Sequence, residues 1–271
     1  MLGSIAGDII GSPYEFKKGW KSKEFELFNE KSYQDDEDGQ VIKKSRFTDD
    51  TVHTVALMDS ILTKEPYVLK LKEYFHRYPN VGYGRFFKQW AEDENNLEPY
   101  NSYGNGSAMR VSPIACIFGD IQLVLDNSKM SAEITHNHPE GIAGAQIIAS
   151  AIFLLRKGFR KGEVKKTLMN MFGLDILNKR WEEIQPEYSF DATCQGSVPH
   201  ALISFFEGRN FEDCIRNAIA LGGDADTLAC MAGGLAEAHY GLPEEIGKKA
   251  FTYLDDELKE VVSEFYVKYK L

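Results

Sequence analysis

Apolar residues recur at helical spacing along most of the chain. Val52, Val55, Ala56, Ile61 and Leu62 approximate one stripe, which predicts a helix over 52–62. Comparable segments predict helices over 67–78, 84–91, 162–171, 197–207 and 211–221. A strong one covers 141–155, with Asn137 or His138 as its cap and Pro139 as its first helical residue. Residues 2–12 carry Gly3, Gly7 and Gly11, each four apart, a ridge that would let a second helix approach closely before Pro13 stops the first. The run 228–240 is rich in alanine and glycine and ends at Gly241-Leu242-Pro243, a glycine-then-proline stop. Residues 109–117 predict a helix bent at Pro113, and 244–270 supply one or two more. Polar stretches interrupt this pattern at 17–44 and 92–102, and a mixed, aromatic-rich connection does so at 176–191. The first holds Lys17, Lys18, Lys21 and Lys23 and then Asp35, Asp36, Glu37 and Asp38. It reads as an excursion or lid with short strands at most, its acids either a solvated turn around Gly39 or metal ligands. Strand signals are few, and no repeat or low-complexity linker breaks the chain. Roughly ten helical segments predict an all-α fold, a single domain spanning 1–271.

Composition narrows the functional classes. With 43% hydrophobic and 27% charged residues in a 271-residue chain, a sizeable core is expected. A net charge of −10 argues against general nucleic-acid binding but not against an anionic substrate held by metal ions and backbone N–H groups. The cysteines, Cys116, Cys194, Cys214 and Cys230, form no C-x-x-C pair, so zinc and thioredoxin-like readings are weak. Cys116 and Cys230 lie in apolar runs and are expected to be buried free thiols. The longest apolar run, 147–155, falls far short of the ~20 residues of a membrane span, and no signal peptide is evident. A cytoplasmic, monomeric protein without membrane contact is expected.

Two acidic clusters carry the candidate chemistry. Thr48-Asp49-Asp50-Thr51 precedes one predicted helix, and Gly222-Gly223-Asp224-Ala225-Asp226-Thr227 precedes another. Each is explicable as a helix cap with acids at the positive end of the dipole. Each also joins hydroxyls to carboxylates, a donor set suited to Mg²⁺ or Mn²⁺. If the two helix starts converge, four carboxylates meet in one cleft and cannot all stay ionised without cations. Two divalent ions would resolve the conflict and could activate water on a hydroxylated or phosphorylated substrate. Glu15, between Tyr14 and Phe16, is either a solvated loop acid or points into such a site. The loop Gly104-Asn105-Gly106-Ser107-Ala108-Met109-Arg110 permits positive φ, giving either an inward-facing anion cradle or a simple tight turn. His136 and His138 do not share a helix face, so they are either structural or placed to stack on or hydrogen-bond a ligand.

In order and spacing, Gly7-Asp8-x-x-Gly11-x-x-x-Glu15, Thr48-Asp49-Asp50-Thr51, the Gly104–Arg110 loop, Thr135-His136-x-His138 and Gly222-Gly223-Asp224-x-Asp226-Thr227 resemble the ADP-ribosylglycohydrolase family. The resemblance covers residue 1 to about 241. It implies a compact all-α fold holding two Mg²⁺ or Mn²⁺ ions, with Thr48, Asp49, Asp50, Asp224, Asp226 and Thr227 as ligands. It further implies catalytic roles for Glu15, Asp49 and Asp226, Glu15 being a mobile acid near the metals. Gly104, Asn105, Gly106, Ser107 and Met109 would hold the pyrophosphate and distal ribose, and His136 would line the nucleotide side. The implied reaction is hydrolysis at C1″ of ADP-ribose attached to a protein or other acceptor. Water activated at the metals, with Glu15 or an aspartate taking its proton, would attack as an oxocarbenium-like centre develops.

Two other classes fit the same residues: a two-metal phosphohydrolase of a nucleotide pyrophosphate, and a non-catalytic ADP-ribose-binding relative. One departure bears on specificity. Some family members carry an acid just upstream of the Gly-Asn-Gly loop, where this chain has Asn101, Ser102 and Tyr103, with Glu98 the nearest acid. That weakens the expectation of an arginine linkage.

Overall fold

The computed structural model describes residues 1–17, 19–35 and 39–271. The acids at 36–38, considered above as a turn or a metal site, lie outside the described residues, as does Lys18. Among the described residues the elements in chain order are α1 (Leu2–Gly11), β1 (Tyr33–Gln34), β2 (Val41–Ile42), α2 (Asp49–Thr63), α3 (Tyr67–Arg77), α4 (Arg85–Glu92), α5 (Gly106–Met109), α6 (Ile114–Ile117) and α7 (Ile121–Glu133). They continue with α8 (Pro139–Arg156), α9 (Lys161–Phe172), a 3₁₀ turn (Asp175–Asn178), α10 (Trp181–Ile184), α11 (Cys194–Glu207), α12 (Phe211–Ala220), α13 (Ala225–Tyr240), α14 (Glu244–Tyr253) and α15 (Asp256–Tyr269). The fold is all-α, with β1 and β2 pairing antiparallel as its one small sheet among the described residues.

The centre is α13. Every residue from Ala225 to Ala236 is buried, as expected of a helix apolar or small on all sides. It packs against α1, α8, α11 and α12. The contact with α1 is backbone on backbone. A Cβ at Gly7 would stand 2.0 Å from the Ala229 carbonyl oxygen, and one at Gly11 would stand 2.5 Å from the Asp226 Cα. The glycine ridge therefore sets how close α1 and α13 come. That approach brings the C-terminal end of α1 beside the N-terminus of α13, where the candidate ligands lie.

The segment after Pro13 is tied down rather than open. Lys21 Nζ donates to the carbonyls of Gln185 and Tyr188 at 2.7 Å and to that of Leu221, and Arg216 Nη1 donates to the carbonyls of Lys23 and Phe25 at 2.7 and 2.8 Å. Trp20 and Ile42 join the core. All four cysteines are unpaired; Cys230 is buried as expected, whereas Cys116 is half-buried.

Two expectations need correction. The single bent helix over 109–117 is two short helices, α5 and α6, because Pro113 has no N–H to donate and its ring clashes with the Met109 carbonyl four residues back. In addition, α7 forms where the apolar pattern marks no helix. Its buried face is Val124, Ser128, Ser131 and Ala132, a helical stripe built mostly of small residues. Its start is fixed by Asp120, which accepts from the N–H groups of Gln122 and Leu123 at 2.8 and 3.3 Å.

Candidate metal centre and substrate cleft

Three helix ends meet. Asp8 comes from α1, with Glu15 just beyond it; Thr48, Asp49 and Asp50 start α2; Asp224, Asp226 and Thr227 start α13. Carboxylate oxygens of Asp8, Asp50 and Asp226 lie within 4.8 Å of one another, and so do those of Glu15, Asp224 and Asp226. Asp226 belongs to both groups.

Asp8 is the residue the sequence reading left without a role. It is fully buried and accepts from Thr48 N (2.9 Å), Thr48 Oγ1 (2.6 Å), Thr51 N (3.2 Å) and Thr51 Oγ1. Its carboxylate fastens the start of α2 onto α1, which accounts for both threonines flanking Asp49-Asp50. The available signal was an acid in the middle of a helix whose other positions are small or apolar.

The capping explanation accounts for only part of the acidic motifs. Thr48 does cap α2, its hydroxyl accepting from Asp50 N at 3.3 Å. Asp224 stands at the N-cap of α13 yet makes no side-chain capping bond. It accepts instead from Asn105 Nδ2 at 2.7 Å. Gly222 and Gly223, at φ 76° and 80°, supply the left-handed turn before it. Asp226 Oδ1 accepts from Thr227 N at 2.9 Å, and Thr227 Oγ1 donates to Asp50 Oδ2 at 3.3 Å. Asp50 Oδ1 is buried with no hydrogen-bond partner among the described residues.

The charges explain what this arrangement lacks. Burial, then the neighbouring charges of Asp224 and Asp49, push Glu15 up to about 8. Burial, then Asp8, pushes Asp49 up to about 7. Asp50 and Asp226 are raised well above the carboxylate range by burial and by the surrounding acids, and burial also raises Asp8 and Asp224. Arg46 opposes this at Glu15 and Asp49, but among the described residues no lysine or arginine forms an ion pair with any of the six. Buried carboxylates this close are stable as anions only beside cations. The orphaned oxygen of Asp50, the two oxygen groups sharing Asp226 and the hydroxyl of Thr227 fit hard divalent ions with oxygen ligands.

The carboxylates form one end of a cavity of about 310 Å³. Glu15, Asp49, Asp50, Asp224, Asp226 and Thr227 line it, as do Gly104, Asn105, Gly106, Met109 and His136, with Asn105 next to Asp224. Phe86 and Phe190 line the rim while remaining largely exposed. Two candidates do not reach the cavity wall. Ser107 Oγ donates to the Gly141 carbonyl at 2.7 Å, and Thr48 Oγ1 is turned to Asp8. The loop glycines are not at positive φ, contrary to expectation; in this stretch Asn101 is, at 53°. Gly106 is needed for closeness instead, since a Cβ there would lie 3.1 Å from His136 Nε2. His138 caps α8, accepting from Glu140 N at 3.2 Å, and takes no part in the cavity wall. His53 also lines the cavity, buried with both ring nitrogens unpartnered among the described residues; no motif marked it.

Comparison with known proteins identifies the family and the fold. The family model described as ADP-ribosylglycohydrolase matches residues 1–270. The chain is 27% identical to ADP-ribosylhydrolase ARH3 of Homo sapiens, over 90% of this chain and 85% of that one. It is 26% identical to ADP-ribosylarginine hydrolase Tri1 of Pseudomonas putida (strain GB-1), over 93% of this chain and 73% of that one. A solved structure titled ADP-ribosylglycohydrolase-related protein complex shares the fold with a TM-score of 0.72 at 24% identity, covering 98% of this chain and 94% of its own. With the family model matching nearly its whole length, the chain belongs to the ADP-ribosylglycohydrolase family.

Proposed function

We propose that this protein hydrolyses the glycosidic bond at C1″ of ADP-ribose carried by a protein or another acceptor, releasing ADP-ribose, with two divalent cations in its carboxylate centre. The observation that carries this reading is the pair of oxygen groups sharing Asp226 in a cleft that the Gly104–Gly106 loop and His136 also line. Asp50, Asp224 and Asp226 would hold the ions, with Asp49 and Thr227 completing the donor set and Thr48 bound to Asp8 behind them. Mg²⁺ or Mn²⁺, when bound, supplies Lewis acidity to the hydroxyls of the distal ribose and lowers the pKa of water.

The chain's own groups do the rest. Glu15 is half-buried at the cavity edge, where its carboxylate, ionised once cations offset the neighbouring acids, can take the proton of the attacking water. Asp8 and Asn105 hold Asp50 and Asp224 in place, Asp8 through the start of α2 and Asn105 by a direct bond. Bare backbone at Gly104 and Gly106 leaves room for a pyrophosphate beside His136, and exposed Phe86 and Phe190 offer ring faces to the adenine. The acceptor side has no second acid from the segment before the loop. Asn101 N donates to Asn137 Oδ1 at 2.8 Å, and Glu98 does not line the cavity. This favours an acceptor that is uncharged at the linking atom over a guanidinium. A panel of arginine-, serine-, carboxylate- and nucleic-acid-linked ADP-ribose conjugates, with products identified by mass, tests the reading. Intact ADP-ribose supports it, and AMP with ribose phosphate would assign the cleft to a phosphohydrolase.

A further inference from the structure

Behind the phosphate-side wall lies a buried cation that the proposed reaction does not use. Arg110 is fully buried, and no carboxylate pairs with it among the described residues. Its Nη2 donates to the Ser131 carbonyl and to Thr135 Oγ1, each at 2.9 Å. Thr135 Oγ1 in turn lies 2.7 Å from His136 Nδ1. The opposite ring edge, Nε2 and Cε1, faces Gly106, where a Cβ would come within 3.1 and 3.2 Å.

The direction of the bond along this chain follows from chemistry. A guanidinium has no acceptor, so Arg110 donates to Thr135 and occupies one lone pair of Oγ1. The hydroxyl keeps one proton and one lone pair, one of which meets His136 Nδ1. A positive guanidinium bonded to the hydroxyl oxygen makes it a stronger donor and a weaker acceptor. Placing Nδ1–H there would aim a second positive dipole at the Arg110 charge, whereas an Nδ1 lone pair is attracted to it.

We propose that Arg110 and Thr135 are positioning residues that fix His136 as the neutral Nε2–H tautomer, presenting a hydrogen-bond donor at the Gly104–Gly106 wall for a phosphate oxygen. The identity of that oxygen rests on the ADP-ribose reading above; the tautomer does not. Burial, and then the charge of Arg110, holds the imidazole well below its ordinary pKa, so the ring enters the wall uncharged. This arrangement gives the cleft polarity without a titrating cation at the wall, and it explains the retention of a buried arginine lacking a counter-charge.

Nitrogen-15 NMR of histidine-labelled protein tests the lock. In the wild type His136 shows a protonated Nε2 and an unprotonated Nδ1. Thr135→Val keeps the shape and removes the hydroxyl; the Nδ1–H tautomer then appears, and ADP-ribose binding by calorimetry weakens about tenfold, the equivalent of one hydrogen bond. Manganese binding at the carboxylate centre stays unchanged. Thr135→Ser, which restores the donor, restores both the tautomer and the affinity. An Nδ1–H signal in the wild type overturns the proposal, as does a Thr135→Val protein with the wild-type tautomer. A wild type that shows the Nε2–H tautomer but binds no ADP-ribose would refute the functional reading and leave the lock standing.

Discussion

Stripping the divalent cations makes the stability of this fold depend on pH in a direction that the carboxylate centre dictates. Without cations Glu15 stands at about 8, raised by burial first and by Asp224 and Asp49 next. A carboxyl raised in this way holds its proton more tightly folded than unfolded. Its stabilising effect is complete below the unfolded value of 4.5 and is lost as pH rises through about 8. One pH unit corresponds to about 1.4 kcal/mol, so from about pH 5 to about pH 8 Glu15 costs the metal-free fold on the order of 4 kcal/mol. Asp49, at about 7, acts in the same direction, and the two effects do not add because the Asp49 charge is part of what raises Glu15. At about 2–4 °C per kcal/mol for a chain of this size, the midpoint in EDTA falls by on the order of 10 °C across that window. Manganese at about a hundred times its Kd returns about 2.7 kcal/mol, with the largest gain at the alkaline end. Differential scanning calorimetry across the pH series, with EDTA or Mn²⁺, measures both. Glu15→Gln lessens the slope in EDTA, and the raised aspartates keep the remainder. A flat or rising midpoint in EDTA, or a slope untouched by Glu15→Gln, would refute the reasoning.

Further outcomes follow from single contacts. Asp226→Ala removes the carboxylate common to both oxygen groups, so ADP-ribose release in a chromatographic assay falls by at least about a thousandfold while circular dichroism stays helical. Asn105→Ala removes the amide that donates to Asp224, and loss of a bond to a charged acceptor, about 1.5–3 kcal/mol, weakens Mn²⁺ affinity by roughly tenfold or more in calorimetry. Gly7→Ala places a methyl 2.0 Å from the Ala229 carbonyl, backbone against backbone, and lowers stability by more than about 4 kcal/mol or prevents soluble expression; a near-normal midpoint would contradict the α1–α13 packing.

Much of this architecture is legible in the chain because small residues and capping signals report it directly. The four-residue glycine spacing announced that a second helix would approach α1 closely, without naming α13, and Gly222-Gly223 announced the turn that delivers Asp224. Where the signal failed, packing had replaced hydrophobicity. The buried stripe of α7 is mostly serine and alanine, and polarity gave no hint of it. The break between α5 and α6 depends on how Pro113 resolves its clash, which periodicity does not encode. At the site, motif residues pointed to the right loops but not to every partner. Asp8 stood inside a quoted motif without a role because its bonds run to Thr48 and Thr51, some forty residues away. Asn105 sat in a loop suggestive of phosphate binding, yet its side chain holds a carboxylate. His53 lies on the expected helix α2, and only its neighbours in space turn it toward the cleft.

The central claim is that cations in the shared carboxylate centre make this cleft a hydrolase of ADP-ribose linkages. Turnover of the best conjugate, measured on one preparation after exhaustive chelation and again after adding back Mn²⁺ or Mg²⁺, tests it most directly. The account predicts no release of ADP-ribose in EDTA and full recovery when the ion returns. Undiminished release in EDTA would contradict it.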